Sequence, residues 1–138
     1  MFERFLDLLA RVYGRFMISP GVSVCGVLIQ NNKLLLIKNY KGYSLPGGCV
    51  KNGEKIVDGL VREFKEETGF NISGNDFICF IDNPKRDTRL HTVLFAYKCK
   101  IVSGQLKGSF EGEPIWCDLN KLPKLIFGHE EIIKKILI

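Results

Sequence analysis

The sequence predicts an α+β domain in which helices pack on both faces of a mixed β-sheet. Segments with helical periodicity lie at the beginning, in the middle and at the end of the chain, and runs of β-forming residues lie between them. The predicted order is helix, two strands, helix, three strands, helix, which favours an αβα layered arrangement over a doubly wound one. The 138 residues correspond to about one domain.

Residues 2–16 form the first predicted helix, because apolar residues recur there at spacings of three and four. These residues are Phe2, Phe5, Leu6, Leu9, Val12, Tyr13 and Phe16. The favoured interpretation is a helix that packs on the domain or at a homodimer interface. A peripheral membrane anchor is the alternative, although the polar face carries both signs of charge. Pro20-Gly21 breaks the pattern, so we expect residues 1–17 to be appended to a domain of residues 18–138.

Two β-rich runs follow, at 22–29 and 33–38, and Gln30-Asn31-Asn32 between them indicates a hairpin. Residues 41–54 are rich in glycine and contain Pro46, so we expect a loop there. A second helix is predicted over residues 54–68. Its apolar face consists of Ile56, Val57, Leu60, Val61 and Phe64, and Gly69 ends it.

Three more strands are predicted at 77–82, 90–102 and 114–119, with a polar loop at 83–89. A closing helix is predicted at 129–137. At the start of this helix His129 is expected to act as a cap or to lie on the surface.

Composition narrows the possible functions. The net charge of +5 suits a polyphosphate ligand, but no Lys/Arg-rich block or RNA-reading motif is present, so sequence-specific nucleic-acid binding is not expected. The five cysteines form no Cys-x-x-Cys pair, which argues against a zinc site or disulfide framework and favours buried thiols in the cytoplasm. Charged residues interrupt the apolar N-terminus, so neither a signal peptide nor a membrane span is expected.

The strongest functional signal is a group of glutamates on the second predicted helix. Glu63, Glu66 and Glu67 are spaced i, i+3 and i+4 and therefore share one edge, which we expect to line a groove. Neighbouring carboxylates repel one another, and a divalent cation removes that cost. Oxygen ligands suit Mg²⁺, with Mn²⁺ as a possible substitute. Arg62 could orient a glutamate by a bidentate pair, and Glu54 lies at the predicted helix start.

The glycines before this helix fit the same chemistry. Gly47 and Gly48 allow the backbone to approach a ligand or metal closely, with a carbonyl free to coordinate. A metal ion there would polarise a phosphoryl oxygen, and a nearby glutamate could take a proton from water. The alternative is a solvated surface helix, because glutamate is simply a good helix former.

The complete spacing favours the functional interpretation, because it resembles the Nudix box at every specified position. The segment is Gly48-x5-Glu54-x7-Arg62-Glu63-Phe64-x-Glu66-Glu67-x-Gly69-Phe70. Residues 43–48, the first strand pair and residues 113–123 are also similar to the family, so the resemblance covers roughly residues 20–138. It implies an αβα sandwich around a mixed sheet and hydrolysis of a nucleoside diphosphate linked to another group.

The resemblance also implies roles for individual residues. Glu63, Glu66, Glu67 and the Gly48 carbonyl would bind the metal. Two further residues, Arg62 and Glu54, would orient the glutamates and support the loop–helix geometry through a charge pair.

Family members differ in which carboxylate is the general base. Glu63 is our first choice here and Glu111 our second. Either Glu111 or Glu113 could also be a distal metal ligand, and a solvated acidic loop is the alternative for both.

The substrate is less well determined. Residues 83–89 resemble a loop of Nudix enzymes that cleave ADP-ribose, and Lys85, Arg86 and Arg89 could contact phosphates; a solvated loop is the alternative. Tyr43 and Trp116 could stack on a base or pack in the core. Nucleotide sugars, (d)NTPs and dinucleoside polyphosphates remain possible substrates, as does a nucleotide-sensing module that does not cleave its ligand.

Overall fold

The computed structural model describes residues 1–16 and 20–137. The helices in these ranges are α1 (Phe2–Phe16), α2 (Ile56–Thr68) and α3 (Glu130–Ile136), with a short 3-10 helix at Leu119–Lys121. The strands are β1 (Gly21–Val27), β2 (Ile29–Gln30), β3 (Lys33–Asn39), β4 (Gly42–Ser44), β5 (Gly47–Cys49), β6 (Phe70–Ile81), β7 (Thr92–Gly104) and β8 (Glu113–Asp118).

The strands form two four-stranded sheets. The first has the order β5-β1-β7-β6, in which β1 and β7 are parallel and the other two pairs are antiparallel. In the second sheet β3 pairs antiparallel with β2, β4 and β8. The first sheet is therefore mixed, as predicted.

Strand β3 shows why the fold is a sandwich. Leu34, Leu35 and Leu36 are consecutive and all fully buried, although neighbouring side chains of a strand point to opposite faces. Leu35 belongs to a hydrophobic cluster with Leu60 and Phe64 of α2, whereas Leu34 and Leu36 belong to a second cluster with Ile132 and Ile133 of α3. Both faces are thus covered, and the predicted αβα sandwich is confirmed.

The hairpin predicted near Asn31 is confirmed between β2 and β3. Asn31 and Asn32 have φ values of 50° and 60°, which are the left-handed angles that a tight two-residue hairpin turn requires and that asparagine tolerates.

The region expected to be a loop, residues 41–54, instead contains β4 and β5. Strand β5 adds to the edge of β1, with Gly48 opposite Val24. A Cβ at Gly47 would lie only 2.1 Å from the Val24 carbonyl oxygen, so this strand approaches β1 more closely than a side chain at position 47 would allow. Short edge strands of this kind pair through the backbone and need no alternating apolar pattern.

Several other boundaries also differ from the prediction. Strand β6 begins at Phe70 and not at residue 77, directly after Gly69 ends α2 with a left-handed φ of 82°. Strand β7 extends to Gly104. Helix α2 begins at Ile56, two residues after the predicted start.

Helix α1 matches the predicted range, but its apolar side chains remain exposed within the chain. They are Phe2, Phe5, Leu6, Leu8, Leu9, Val12 and Tyr13. Asp7 fixes the helix to the β3–β4 turn by accepting hydrogen bonds from Lys41 Nζ (2.6 Å) and Tyr40 Oη (2.9 Å). The expected boundary at residues 17 and 18 lies outside the described residues. Of the helices in the described ranges, none is long and apolar enough to cross a membrane.

Candidate active site

A cavity of about 420 Å³ brings together residues from distant parts of the chain. Gly48 and the α2 glutamates Glu63 and Glu67 line it, together with Arg86 from the 82–91 loop and His129 from the start of α3. Helix α1 adds residues such as Leu6 and Asp7 to the same lining.

Glu63 lies largely inside this cavity, with its side chain 15% exposed. Its Oε1 accepts a hydrogen bond from Arg62 Nη1 at 2.9 Å. Burial raises the pKa of the Glu63 carboxyl, the Arg62 charge opposes this shift, and the negative charges of Glu66 and Glu111 add to it.

Glu67 is the most buried of the three box glutamates, at 8% exposed. The Gly47 N–H donates a hydrogen bond to its Oε1 at 3.2 Å. The pKa of the Glu67 carboxyl is raised well above its usual range, first by burial and then by the charge of Glu63. A cation placed near both carboxylates would relieve this repulsion.

Arg62 links the glycine-rich approach to helix α2. Its Nε and Nη2 donate to the two carboxylate oxygens of Glu54 at 2.8 and 2.9 Å, and Nη2 also donates to the Cys49 carbonyl oxygen at 3.1 Å. This bidentate pair lowers the pKa of Glu54 to about 2. The same guanidinium contacts Glu63, so it sets the position of that carboxylate relative to β5.

Glu66 differs from its two neighbours. Its side chain is 56% exposed, and its contact with Arg62 Nη1 is long, at 3.5 Å. The expectation that all three carboxylates line the groove is therefore wrong for Glu66. Helical spacing places the three side chains along one edge of α2, but it does not determine how far the groove extends along that edge. Within residues 1–16 and 20–137, no three His, Cys, Asp or Glu side chains are already gathered as a ligand set.

Arg86 lies on the cavity wall with a partly buried side chain. It donates hydrogen bonds to Ser23 Oγ (2.8 Å), Thr92 Oγ1 and the Phe127 carbonyl oxygen (3.3 Å), while its buried Nε has no partner. Burial lowers the pKa of Arg86. No carboxylate among the described residues forms an ion pair with it, so its charge is available to an anionic ligand.

Arg89 lines the cavity but already has a partner. Its Nε and Nη2 donate to the carboxylate of Asp87 at 3.1 and 3.0 Å, and its guanidinium lies 4.3 Å from the centre of the Phe127 ring. Lys85 lies in an exposed turn and is not part of the cavity lining. The 82–91 loop therefore brings two of its three predicted substrate residues to the cavity.

Glu111 lines the cavity, whereas Glu113 does not. Glu113 pairs with Lys38 at the beginning of β8.

Tyr43 and Trp116 pack against the two core clusters and lie outside the lining, so the core alternative holds for both.

His129 was not expected at the site. It occupies the N-cap position of α3, as one of the two expectations had it, but the expectation of a surface residue is wrong. It is 5% exposed, lines the cavity and makes no side-chain capping hydrogen bond. Its Nδ1 accepts a hydrogen bond from the Leu45 N–H at 2.9 Å. Because Leu45 is 84 residues away in sequence, no local pattern could have predicted this contact.

The fold and the carboxylate-lined cavity agree with comparisons to known proteins. The family model for the NUDIX domain matches residues 19–136, so the chain belongs to the Nudix family and is a Nudix hydrolase. It is 40% identical over 126 residues to an ADP-ribose pyrophosphatase of Methanocaldococcus jannaschii, a match that covers 87% of this chain and 75% of the relative.

Solved structures show the same fold at lower identity. An ADP-ribose pyrophosphatase from Streptococcus suis superimposes with a TM-score of 0.74 at 24% identity, covering 86% of this chain and 90% of the other. A bifunctional NMN adenylyltransferase/ADP-ribose pyrophosphatase from Francisella tularensis, in complex with AMP and a manganese ion, has a TM-score of 0.74 at 21% identity. That match covers 98% of this chain and 46% of the other.

Proposed function

We propose that this Nudix hydrolase is a divalent-metal-dependent ADP-ribose pyrophosphatase. The observation that carries the proposal is the 40% identity to the Methanocaldococcus jannaschii enzyme over 87% of the chain. In the reaction, the oxygen of a water molecule bonds to one phosphorus of the diphosphate and the bridging P–O bond breaks. The products are AMP and ribose 5-phosphate, whichever phosphorus is attacked.

The charges around the cavity support a diphosphate substrate. Arg86 presents a cation that has no carboxylate partner in the part of the chain that the structure describes, and Arg89 lies beside it with its charge shared by Asp87. We assign both arginines to substrate binding, because guanidinium groups suit phosphate oxygens. Lys85 lies outside the cavity lining and is not part of this proposal.

The residues present fit a divalent cation. Glu63 and Glu67 have little exposed surface, and the charge of Glu63 raises the pKa of Glu67. The Glu63 carboxyl group occupies the space in which a Cβ at position 48 would stand. Glu63, Glu66, Glu67 and the Gly48 carbonyl would hold Mg²⁺ or Mn²⁺, since all are oxygen donors. When bound, the ion would polarise a phosphoryl oxygen and neutralise charge on the diphosphate.

Glu63 is the proposed general base. Its raised pKa makes it a stronger base than an ordinary glutamate, and its hydrogen bond to Arg62 fixes its position. The second candidate is Glu111, which lines the cavity from the loop before β8. We assign Glu54 and Arg62 to positioning, through their bidentate pair.

The test is a hydrolysis screen of the full chain with Mg²⁺, with Mn²⁺ and with EDTA. Candidate substrates are ADP-ribose, nucleotide sugars, dinucleoside polyphosphates and (d)NTPs, and products are separated by chromatography. We expect kcat/KM for ADP-ribose to exceed the others by at least about tenfold, with AMP and ribose 5-phosphate as products and no turnover in EDTA. A preference for (d)NTPs or dinucleoside polyphosphates would overturn the substrate assignment. Tight ADP-ribose binding without turnover of any substrate would indicate a nucleotide-sensing module.

A further inference from the structure

The tautomer of His129 is fixed by its surroundings. Its Nδ1 accepts a hydrogen bond from the Leu45 backbone N–H at 2.9 Å. A backbone N–H can only donate, so Nδ1 carries no proton and the ring proton is on Nε2.

The imidazole is also held in its neutral form. Burial, reinforced by the nearby charge of Arg86, lowers the pKa of His129 to about 3. Asp87 opposes this shift, and Arg89 adds to it. At neutral pH the ring is therefore an uncharged donor whose protonation does not change with modest changes in pH.

The Nε2–H donor has no partner among the residues that the structure describes. None of the residues in the described ranges accepts a hydrogen bond from Nε2, and Nε2 is not among the fully buried side-chain atoms that lack a partner, so it keeps some accessible surface. The ring lines the cavity, and Phe127 packs edge-on against it with ring centres 5.9 Å apart. With Nδ1 committed to Leu45, Nε2 is the nitrogen available to a ligand in the cavity.

The backbone of residues 45–47 donates hydrogen bonds both to His129 and to a glutamate of the Nudix box. Leu45 donates its N–H to His129, and two residues later Gly47 donates its N–H to Glu67. Two residues of extended chain span at most about 7 Å, so the imidazole and the Glu67 carboxylate border neighbouring parts of one cavity. Arg86 shares the cavity with both residues, and its charge selects an anionic ligand.

We propose that the Nε2–H of His129 donates a hydrogen bond to a non-bridging phosphate oxygen of the substrate, in a subsite shared with Arg86. The inference rests on the proposed function, because that function supplies the diphosphate. Binding by a neutral donor adds selectivity for an acceptor oxygen and places no further positive charge beside Arg86 and Arg89.

Two substitutions separate this role from a structural one. In His129→Asn, the amide oxygen replaces Nδ1 as the acceptor for Leu45, but the side chain is too short to present a donor at the Nε2 position. In His129→Gln, the longer side chain places an amide N–H near the Nε2 position and weakens the contact with Leu45. His129→Asn should therefore weaken binding and keep stability, whereas His129→Gln should keep binding and lower stability.

We expect His129→Asn to melt near the wild-type temperature and to raise KM for ADP-ribose about tenfold to a hundredfold, the range for a lost hydrogen bond to a charged group. His129→Gln should melt at a lower temperature and keep KM within about threefold of wild type. If KM instead rises only in the variant that melts at a lower temperature, the role of His129 is purely structural and the proposal is overturned.

A binding experiment without turnover keeps this inference separate from the proposed function. ADP is titrated into ¹⁵N-histidine-labelled full-length protein in EDTA, and two-bond ¹H–¹⁵N spectra report which nitrogen carries the proton. We expect Nε2 to be protonated and its resonance to shift on saturation with ADP, while Nδ1 changes little. A proton on Nδ1, or an Nε2 resonance unmoved at saturation, would overturn the inference even if ADP-ribose is hydrolysed. If ADP-ribose is not hydrolysed, the titration still decides the role of His129.

Discussion

The Glu63 carboxyl group lies so close to the Cα of Gly48 that a Cβ at position 48 would be 2.5 Å from the carboxyl carbon. A side chain at position 48 would occupy the volume that the Glu63 carboxyl group fills, so the end of the Glu63 side chain would have to move away. The contact brings a buried carboxylate next to the backbone of β5, whose Cys49 carbonyl is bound by Arg62. Helix α2 and strand β5 thus meet at the proposed metal site.

Replacing Gly48 with alanine should displace Glu63 and impair catalysis. We expect kcat/KM for ADP-ribose to fall by about tenfold to a hundredfold, the usual effect of disturbing the support of a metal ligand. Gly108→Ala is the matched control, because a Cβ there meets its nearest atom at an ordinary 3.5 Å. Steady-state kinetics of both variants are the measurement, with circular dichroism to check folding. Equal activity of the two variants would contradict the assignment of Gly48.

The Glu67→Gln substitution should separate activity from stability. We expect turnover to fall by about a hundredfold or more, because a buried carboxylate is lost from the proposed metal-binding group. The melting temperature in EDTA should stay the same or rise, because the substitution removes the charge that Glu63 repels. Asp58→Asn, an exposed change of the same type on α2, should alter neither. Unchanged turnover and an unchanged Mg²⁺ titration in Glu67→Gln would rule out the proposed role.

Sequence spacing was sufficient to predict the contiguous part of the site. Glu63 and Glu67 lie on one helix, so their separation follows from helical geometry alone. Strand β5 was missed because its pairing of Gly48 with Val24 depends on a backbone contact between distant segments. Glycine-rich sequence predicts conformational freedom and gives no signal for such pairing.

Like the pairing of β5, the burial of individual polar side chains could not be predicted from local sequence. His129 and Glu66 are both polar residues with ordinary solvated alternatives, yet the first is 5% exposed and the second has a side chain that is 56% exposed. The difference depends on how α3, the Leu45 segment and the 82–91 loop pack together in the folded chain. The periodicity of a single element does not predict such packing between elements.

The contact between Asp7 and Lys41 should influence substrate binding more than stability. It joins α1 to the β3–β4 turn at the cavity, and it lowers the pKa of Asp7. About a quarter of each side chain is exposed, and ion pairs near the surface contribute about 1 kcal/mol or less, so Lys41→Met should change the melting temperature only slightly. We expect KM for ADP-ribose to rise about two- to fivefold as α1 detaches from the cavity wall. Lys38→Met, which removes an exposed lysine that makes no contact with Asp7, is the control.

Deletion of residues 1–17 tests the same wall of the cavity more severely. Helix α1 contributes Leu6 and Asp7 to the lining, so we expect a larger increase in KM than for Lys41→Met and a smaller change in kcat. Kinetics at saturating and limiting ADP-ribose measure the two effects separately. Kinetic constants equal to those of the full chain would show that α1 has a role unrelated to the cavity.

The buried His129 should make the protein less stable in mild acid. Its pKa is about 3 in the folded chain and 6.5 ordinarily, so the unfolded chain takes up a proton as the pH falls through 6.5, whereas the folded chain does not until about pH 3. The histidine therefore lowers the free energy of unfolding progressively as the pH decreases between these values, by about 1.4 kcal/mol per pH unit over most of the range. Relative to His129→Asn, the wild type should lose about 2 kcal/mol between pH 7 and pH 5, measured by urea unfolding in EDTA. Carboxylates titrate in both proteins and largely cancel in the comparison. Parallel pH profiles for the two proteins would contradict the lowered pKa, because they would show that His129 takes up its proton at the same pH in the folded and unfolded chains.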